Sequence, residues 1–264
     1  MSLYDVPAYM NASRNRTVAL ALIVRTEQTG VRVILPKIRL NAFDQYLAID
    51  GNSEDDTVAA LESFGVPTFR QRERGLGAAM LEARARVTTD ALIFFHPDGN
   101  EDPDDLEKIA ALLRAGKDFV VASRMIPGST NEEDDCVLKW RKWANKGFAA
   151  LANMFFASGQ NRTTDVTNGF RGTTCTAWDR MNLSSHDLTM DYQMVIRALK
   201  LGIPITEFPT HEGPRISGVT KFASLSTGIA ELKLLWRELR MGRRNVNRAQ
   251  VGFISKPERL IGKS

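Results

Sequence analysis

Apolar and polar positions follow two distinct rhythms along the first half of the chain. TVALALIV (17–24), QYLAID (45–50), VPTFRQ (66–71), DALIFF (90–95) and DFVVASR (118–124) are short runs rich in apolar and β-branched residues, the pattern of buried strands. Between them, GVRVILPKI (30–38) reads as a helix or turn, and SEDDTVAALESFG (53–65) as a helix with Ser53 or Asp55 as N-cap and Gly65 closing it. GAAMLEARARV (77–87) has helical apolar spacing, and DPDDLEKIAALLRAG (102–116) is a helix opened by Pro103. Strand–helix–strand units at this rhythm predict an α/β domain with a mostly parallel central sheet flanked by helices. Such sheets bind ligands beyond the carboxyl ends of their strands. Glu27, Asp50, Gly75 and the residues from His96 to Asn100 are therefore expected along one edge.

The second half is more helical. LKWRKWANKGFAALANMFFAS (138–158) carries an aromatic and leucine stripe with four Lys or Arg near its start. LTMDYQMVIRALKLG (188–202) reads as a helix ended by Gly202, and IPITEFPTHEG (203–213) as an extended segment. SLSTGIAELKLLWRELRMGRR (224–244) is an amphipathic helix with a basic end.

Charge refines this division. The net charge is +4, yet Lys233 to Ser264 holds nine Lys or Arg and two acidic residues, leaving the other 232 residues slightly acidic. The predicted division is an N-terminal extension (1–16), a catalytic domain (17–232) and a basic amphipathic tail (233–264). A basic tail points to an anionic partner. Nucleic acid is disfavoured because no basic stripe interleaved with aromatics accompanies it. Contact with the cytoplasmic membrane face through the tail is the alternative, with a tail packed on the domain and solvated at its basic end equally open. No apolar run approaches ~18 residues, and the first residues lack a leader pattern, so a cytoplasmic chain is expected. Cys136 and Cys175 fit neither a disulfide framework nor a metal spacing. A homo-oligomer stays open.

The chemistry concentrates where ALIFF meets HPDGNEDP. His96, Asp98 and Asn100 are spaced two apart, so an extended segment turns all three side chains the same way. Oxygen and nitrogen ligands in a loop suit Mg²⁺ or Mn²⁺ when phosphate oxygens complete the shell. A solvated acidic loop at a helix N-terminus is the competing reading. RERGLGAAM (72–80) sets a cation and a G-x-G turn before a helix, a shape that lets backbone approach a ligand. DVTNGFRG (165–172) and GPRISGVTK (213–221) are glycine-hinged loops with Arg171, Arg215 and Lys221, cations able to clamp a diphosphate.

In this order the motifs resemble glycosyltransferase family 2, in its dolichyl-phosphate mannose synthase-like and polyprenyl-phosphate branch. LIVRTEQTG, AIDGNSEDDT, RGLGAAM, FFHPDGNEDPDDL, VVASRMIPG, DVTNGFRG and GPRISGVTKF stand where that family has its conserved blocks, over roughly residues 17–232. The resemblance implies the glycosyltransferase A fold, a UDP- or GDP-sugar donor, Mg²⁺ or Mn²⁺ and inversion at the anomeric carbon. It implies donor binding by Glu27, Asp50, Arg74, Gly75, Gly77, Pro97 and Asp98, and a metal held by Asp98 and Asn100 with His96. It implies catalytic roles for Asp98, Asp191, Arg215 and Lys221, and an acceptor phosphate received by Arg124, Arg141 or Lys146. Three departures stand out. His96 occupies the place of the first aspartate of D-A-D, Ile23 and Val24 replace a Pro-Ala pair, and Gln193 replaces a glutamate, with Asp191 two residues earlier.

A polyprenyl phosphate acceptor is already ionised and needs no general base, whereas a saccharide or small-molecule hydroxyl needs one, for which Asp191 or Asp165 is the candidate. A nucleotide-sugar-binding protein that lost turnover with the His96 change is the third reading.

Overall fold

Val18–Val24 form strand β1, seven consecutive buried residues near the middle of a seven-stranded sheet. The computed structural model describes residues 16–131, 140–216 and 224–242. β2 (Gln45–Asp50) and β4 (Ala91–Phe95) flank β1 in parallel, and β3 (Thr68–Arg70) extends the sheet beyond β2. On the other side β6 (Arg171–Thr174) runs antiparallel between β4 and β5 (Phe119–Ser123), and β7 (Ile205–Pro209) pairs with β5 in parallel. The order is β3-β2-β1-β4-β6-β5-β7.

Because side chains alternate across a strand, β1 feeds two cores. Ala19, Ala21 and Ile23 face the helices α3 (Leu76–Arg86), α5 (Trp140–Phe156), α6 (Cys175–Met181), α7 (Met190–Leu201) and α8 (Ser224–Met241). Val18, Leu20, Leu22 and Val24 face α1 (Gln28–Ile34), α2 (Thr57–Ser63) and α4 (Asp105–Arg114). Phe94 is fully buried against Trp178, ring centroids 5.3 Å apart; truncating such a ring costs about 3–5 kcal/mol.

The alternation predicted for the first half is present, with later starts for α2 and α4. α2 begins at Thr57 because Asp50 and Asp55 hold the preceding turn: Asp50 accepts from the Ser53 N–H, and Asp55 from the Thr57 N–H and the Gln28 N–H. α4 begins at Asp105, since Pro103 lies in the turn before it. β6 and α6 were not expected, and the tail boundary at 232/233 falls inside α8. Leu234 and Leu235 belong to the core, and Glu238 is fully buried against Arg197 and Lys200, so the basic end of α8 is not a separate unit. The remainder of that tail, from residue 243, lies outside the described residues.

Candidate active site

The carboxyl ends of β1, β2, β3 and β4 open onto one cavity of about 870 Å³, as the topology predicted. Arg25 and Glu27 come from β1's end, Gly51 and Asn52 from β2's, Gln71 from β3's, and His96, Asp98 and Asn100 from β4's. Arg124 after β5 and Arg215 after β7 complete that wall, and α5, α7 and α8 form the other.

Glu101 organises the strand end. Its Oε1 lies 2.8 Å from His96 Nδ1, and its Oε2 accepts the His96 N–H at 2.8 Å. Burial alone would pull the imidazole pKa down, but the adjoining Glu101 carboxylate, with Asp98 and Asp191 beyond, pushes it up to about 9. Asp98 is buried; its Oδ1 accepts the Asn100 N–H at 3.0 Å and its Oδ2 lies 3.2 Å from Arg215 Nη1. Asn100 Nδ2 donates to the Gly213 carbonyl at 2.8 Å, tying the loop to the segment that carries Arg215.

This donor set is one carboxylate, one amide oxygen and an imidazole whose Nδ1 is taken. Among the described residues no three His, Cys, Asp or Glu side chains converge as a protein-only metal cage. Asp98 and Asn100 fit Mg²⁺ or Mn²⁺ in the manner that needs substrate phosphate oxygens to fill the shell. The Glu101 contact fixes His96 so that only Nε2 remains for a ligand.

Cations gather where the strand-end wall meets α5. Arg124 is spent internally: Nε and Nη2 donate to Asp165 at 2.9 and 3.0 Å, and Nη1 to Glu212 at 3.0 Å. Arg141 lies beside Arg124 and Arg215; burial first, then these two guanidiniums, lower its pKa while Glu212 opposes them. Such crowding of positive charge is what an anion relieves. On α7, Asp191 lines the cavity, held by the fully buried Arg171, whose Nη1 donates to the Asp191 carbonyl at 2.9 Å. Burial raises the Asp191 carboxyl, outweighing Arg171 and His96.

Several expected residues stand elsewhere. Asp50 is fully buried and off the cavity wall, its carboxylate spent on the Ser53 turn. The G-x-G turn serves packing: a Cβ on Gly75 would lie 2.0 Å from the His186 carbonyl oxygen, and one on Gly77 2.2 Å from that of Ser185. The first amides of α3 donate to the carbonyls of Asp187 and His186, at 3.1 and 3.0 Å, rather than facing a ligand. Gly75 lines the cavity; Gly77 does not. Pro97 is off the wall and packs its carbonyl against Gly30, where a Cβ would come within 2.2 Å. Lys146 is exposed on α5 away from the wall, and Lys221 lies outside the described residues. Asp165 is buried, off the wall and paired with Arg124 and Asn145; although burial raises its pKa, Arg124 prevails and lowers it, so it is no candidate base. Gln193 is fully buried, accepting the Ser184 and Ser185 N–H groups at 2.9 Å each, and is not on the wall. Sequence reasoning missed Glu101, which stands inside the FFHPDGNEDPDDL block but was given no role, and Glu212 and Glu231, which no such block contains.

Residues 38–184 match the family model described as glycosyl transferase family 2, and they make up more than half of the chain. The chain belongs to that family. As a family 2 glycosyltransferase it is 28% identical over 196 residues to glycosyltransferase AglJ of Haloferax volcanii, covering 73% of this chain and 61% of that protein's length. It is 26% identical over 203 residues to polyprenol monophosphomannose synthase of Mycolicibacterium smegmatis, covering 71% of this chain and 74% of the relative. Glucosyl-3-phosphoglycerate synthase from Mycobacterium tuberculosis superposes in its UDP complex with a TM-score of 0.69 at 15% identity, over 91% of this chain and 86% of that one. The same enzyme with Mn²⁺ and UDP-glucose gives 0.66 at 15%, over 89% and 84%. The likeness establishes the glycosyltransferase A-like fold of this family 2 glycosyltransferase.

Proposed function

We propose that this enzyme transfers a sugar from a UDP- or GDP-sugar to a polyprenyl phosphate, with inversion at the anomeric carbon. The observation that carries the reading is the cavity mouth. Trp140, Arg141 and Lys142 of α5 and Ile229 and Leu232 of α8 line it, and the apolar members are half-exposed. Trp143 and Trp236 continue this surface, with Lys146, Lys233, Arg237 and Arg240 exposed around them. Half-exposed apolar side chains at a cavity mouth, with cations at their border, suit a bilayer interface, where a lipid tail stays in the membrane while its phosphate reaches the guanidiniums inside. No helix among the described residues is long and apolar enough to cross a membrane.

Asp98 and Asn100, with His96 beside them, would hold Mg²⁺ or Mn²⁺, whose charge offsets that of the diphosphate when bound. Glu27, Arg74 and the ends of β2 and β3 hold the nucleotide, and Arg215 leaves Asp98 to meet the diphosphate. Arg141 and Lys142 orient the acceptor phosphate. Its oxygen forms the new bond to the anomeric carbon as the bond to the nucleoside diphosphate breaks, and no proton has to be removed.

The test is transfer of radiolabelled sugar from UDP- and GDP-linked donors into the organic phase with polyprenyl phosphate, with and without Mn²⁺. Label that reaches only water or a soluble saccharide overturns the lipid acceptor. The raised, cavity-facing carboxyl of Asp191 favours a second reading, a hydroxyl acceptor with Asp191 as base. Asp191→Asn should then abolish turnover by orders of magnitude, and reduce it far less with a phosphate acceptor.

A further inference from the structure

One end of the cavity is acidic. Asp187 ahead of α7, Asp191 in its first turn and Glu231 of α8 all line it. Glu231 is 2% exposed, and its Oε2 has no hydrogen-bond partner within the protein. Asp191 Oδ1 is likewise unbonded, 3.3 Å from Arg171 Nε but out of line with its N–H. Buried polar atoms are nearly always hydrogen-bonded, so two acceptors without a hydrogen bond on one cavity wall mark capacity reserved for a guest.

We infer that Glu231 and Asp191 together receive hydroxyl groups of the donor's sugar, and that this acidic end selects a neutral pyranose over a uronic acid. The inference rests on the cavity holding a nucleotide sugar. Acceptors without a hydrogen bond call for a guest with O–H or N–H donors, and a pyranose presents several at neighbouring carbons. Asp187 and Asp191 disfavour an anionic guest at this end, while Arg141 and Arg215 accept anions at the other. Burial, then Asp191 and Asp187, pushes the Glu231 carboxyl up to about 9 against the pull of Arg171. At neutral pH it is therefore a donor as well as an acceptor, able to bond one hydroxyl each way. Glu231 comes from α8, the helix that also borders the cavity mouth, so sugar choice and acceptor entry share one element.

Calorimetric titration of the full chain with UDP, GDP, UDP-glucose, GDP-mannose and UDP-glucuronate, for wild type, Glu231→Gln and Glu231→Ala, tests this. Binding of UDP or GDP to wild type tests the nucleotide-sugar reading itself, and its absence overturns both. Where the nucleoside diphosphate binds, Glu231→Ala should keep that affinity within about twofold. It should lose roughly three- to tenfold of the further affinity contributed by the preferred neutral sugar. Glu231→Gln, which keeps a donor and an acceptor, should retain most of the increment, and the preference over UDP-glucuronate should narrow in the Ala variant. An unchanged sugar increment and unchanged glucuronate ratio in both variants overturn the inference while leaving nucleotide binding intact. Equal loss of nucleoside diphosphate and nucleotide-sugar affinity also overturns it, because that is the signature of a purely structural Glu231.

Discussion

Glu101 grips His96 twice, through the imidazole Nδ1 and through the backbone N–H, each at 2.8 Å. His96, which the resemblance sets in the place of an aspartate, therefore has a carboxylate supplied to it from five positions away. Glu101→Ala should lose both contacts and let the half-buried ring give up its proton, costing about 1.5–3 kcal/mol in urea denaturation. Glu101→Gln should cost less, since its amide oxygen still accepts one hydrogen bond. Equal stability of all three proteins would show that the pair does not anchor the loop.

Arg215 and Arg124 line the same cavity but should fail differently. Arg215 is partly exposed and ion-paired with Asp98, so Arg215→Ala should lower kcat by about 10²–10³ with little change in stability. Arg124→Ala removes the guanidinium that pairs with the fully buried Asp165 and with Glu212, and should destabilise by about 3–5 kcal/mol. Denaturation midpoints beside steady-state rates separate the two, and a stable, slow Arg124→Ala protein would contradict the assignment.

Glu231 gives a pH signature. Below about pH 4.5 folded and unfolded chains both carry its proton, and burial adds no pH-dependent penalty. Between there and about 9 the unfolded chain releases the proton while the folded one keeps it. Stability then falls as pH rises, by at most ~1.4 kcal/mol per unit. Glu231→Gln has no such proton to lose, so its stability relative to wild type should grow steadily between roughly pH 5 and pH 8.5. Parallel stability curves would contradict the raised carboxyl.

The mouth of the cavity predicts lipid binding. Trp143 and Trp236 are 62% and 58% exposed, so Trp143→Glu with Trp236→Glu should leave the melting temperature nearly unchanged. Sedimentation with anionic vesicles should fall severalfold, and wild-type binding should weaken as salt rises. Binding unaffected by either change would remove the membrane reading of this face.

What the sequence disclosed follows from range. Buried parallel strands announce themselves as local apolar runs, so β1, β2, β4 and β5 were readable, and the carboxyl-edge rule then placed Glu27, His96, Asp98 and Asn100. β6 was hidden because TNGFRGTTCT shows no alternation and carries Arg171, whose burial depends on Asp191 twenty positions on. Gly75 and Gly77 were visible as glycines, but their reason, close approach of the 185–187 backbone, is a tertiary fact. Glu231 looks like any polar position of an amphipathic helix until α7 lies opposite it.

Charge alone divided the chain at 232, yet Glu238 of α8 lies fully buried between Arg197 and Lys200 of α7, its Oε2 2.7 Å from the lysine. A protein shortened at that apparent boundary would strand two cations inside α7, the helix that presents Asp191. The smallest fragment worth expressing therefore ends after Met241, and a preparation cut earlier is expected to report on a damaged scaffold rather than on the enzyme.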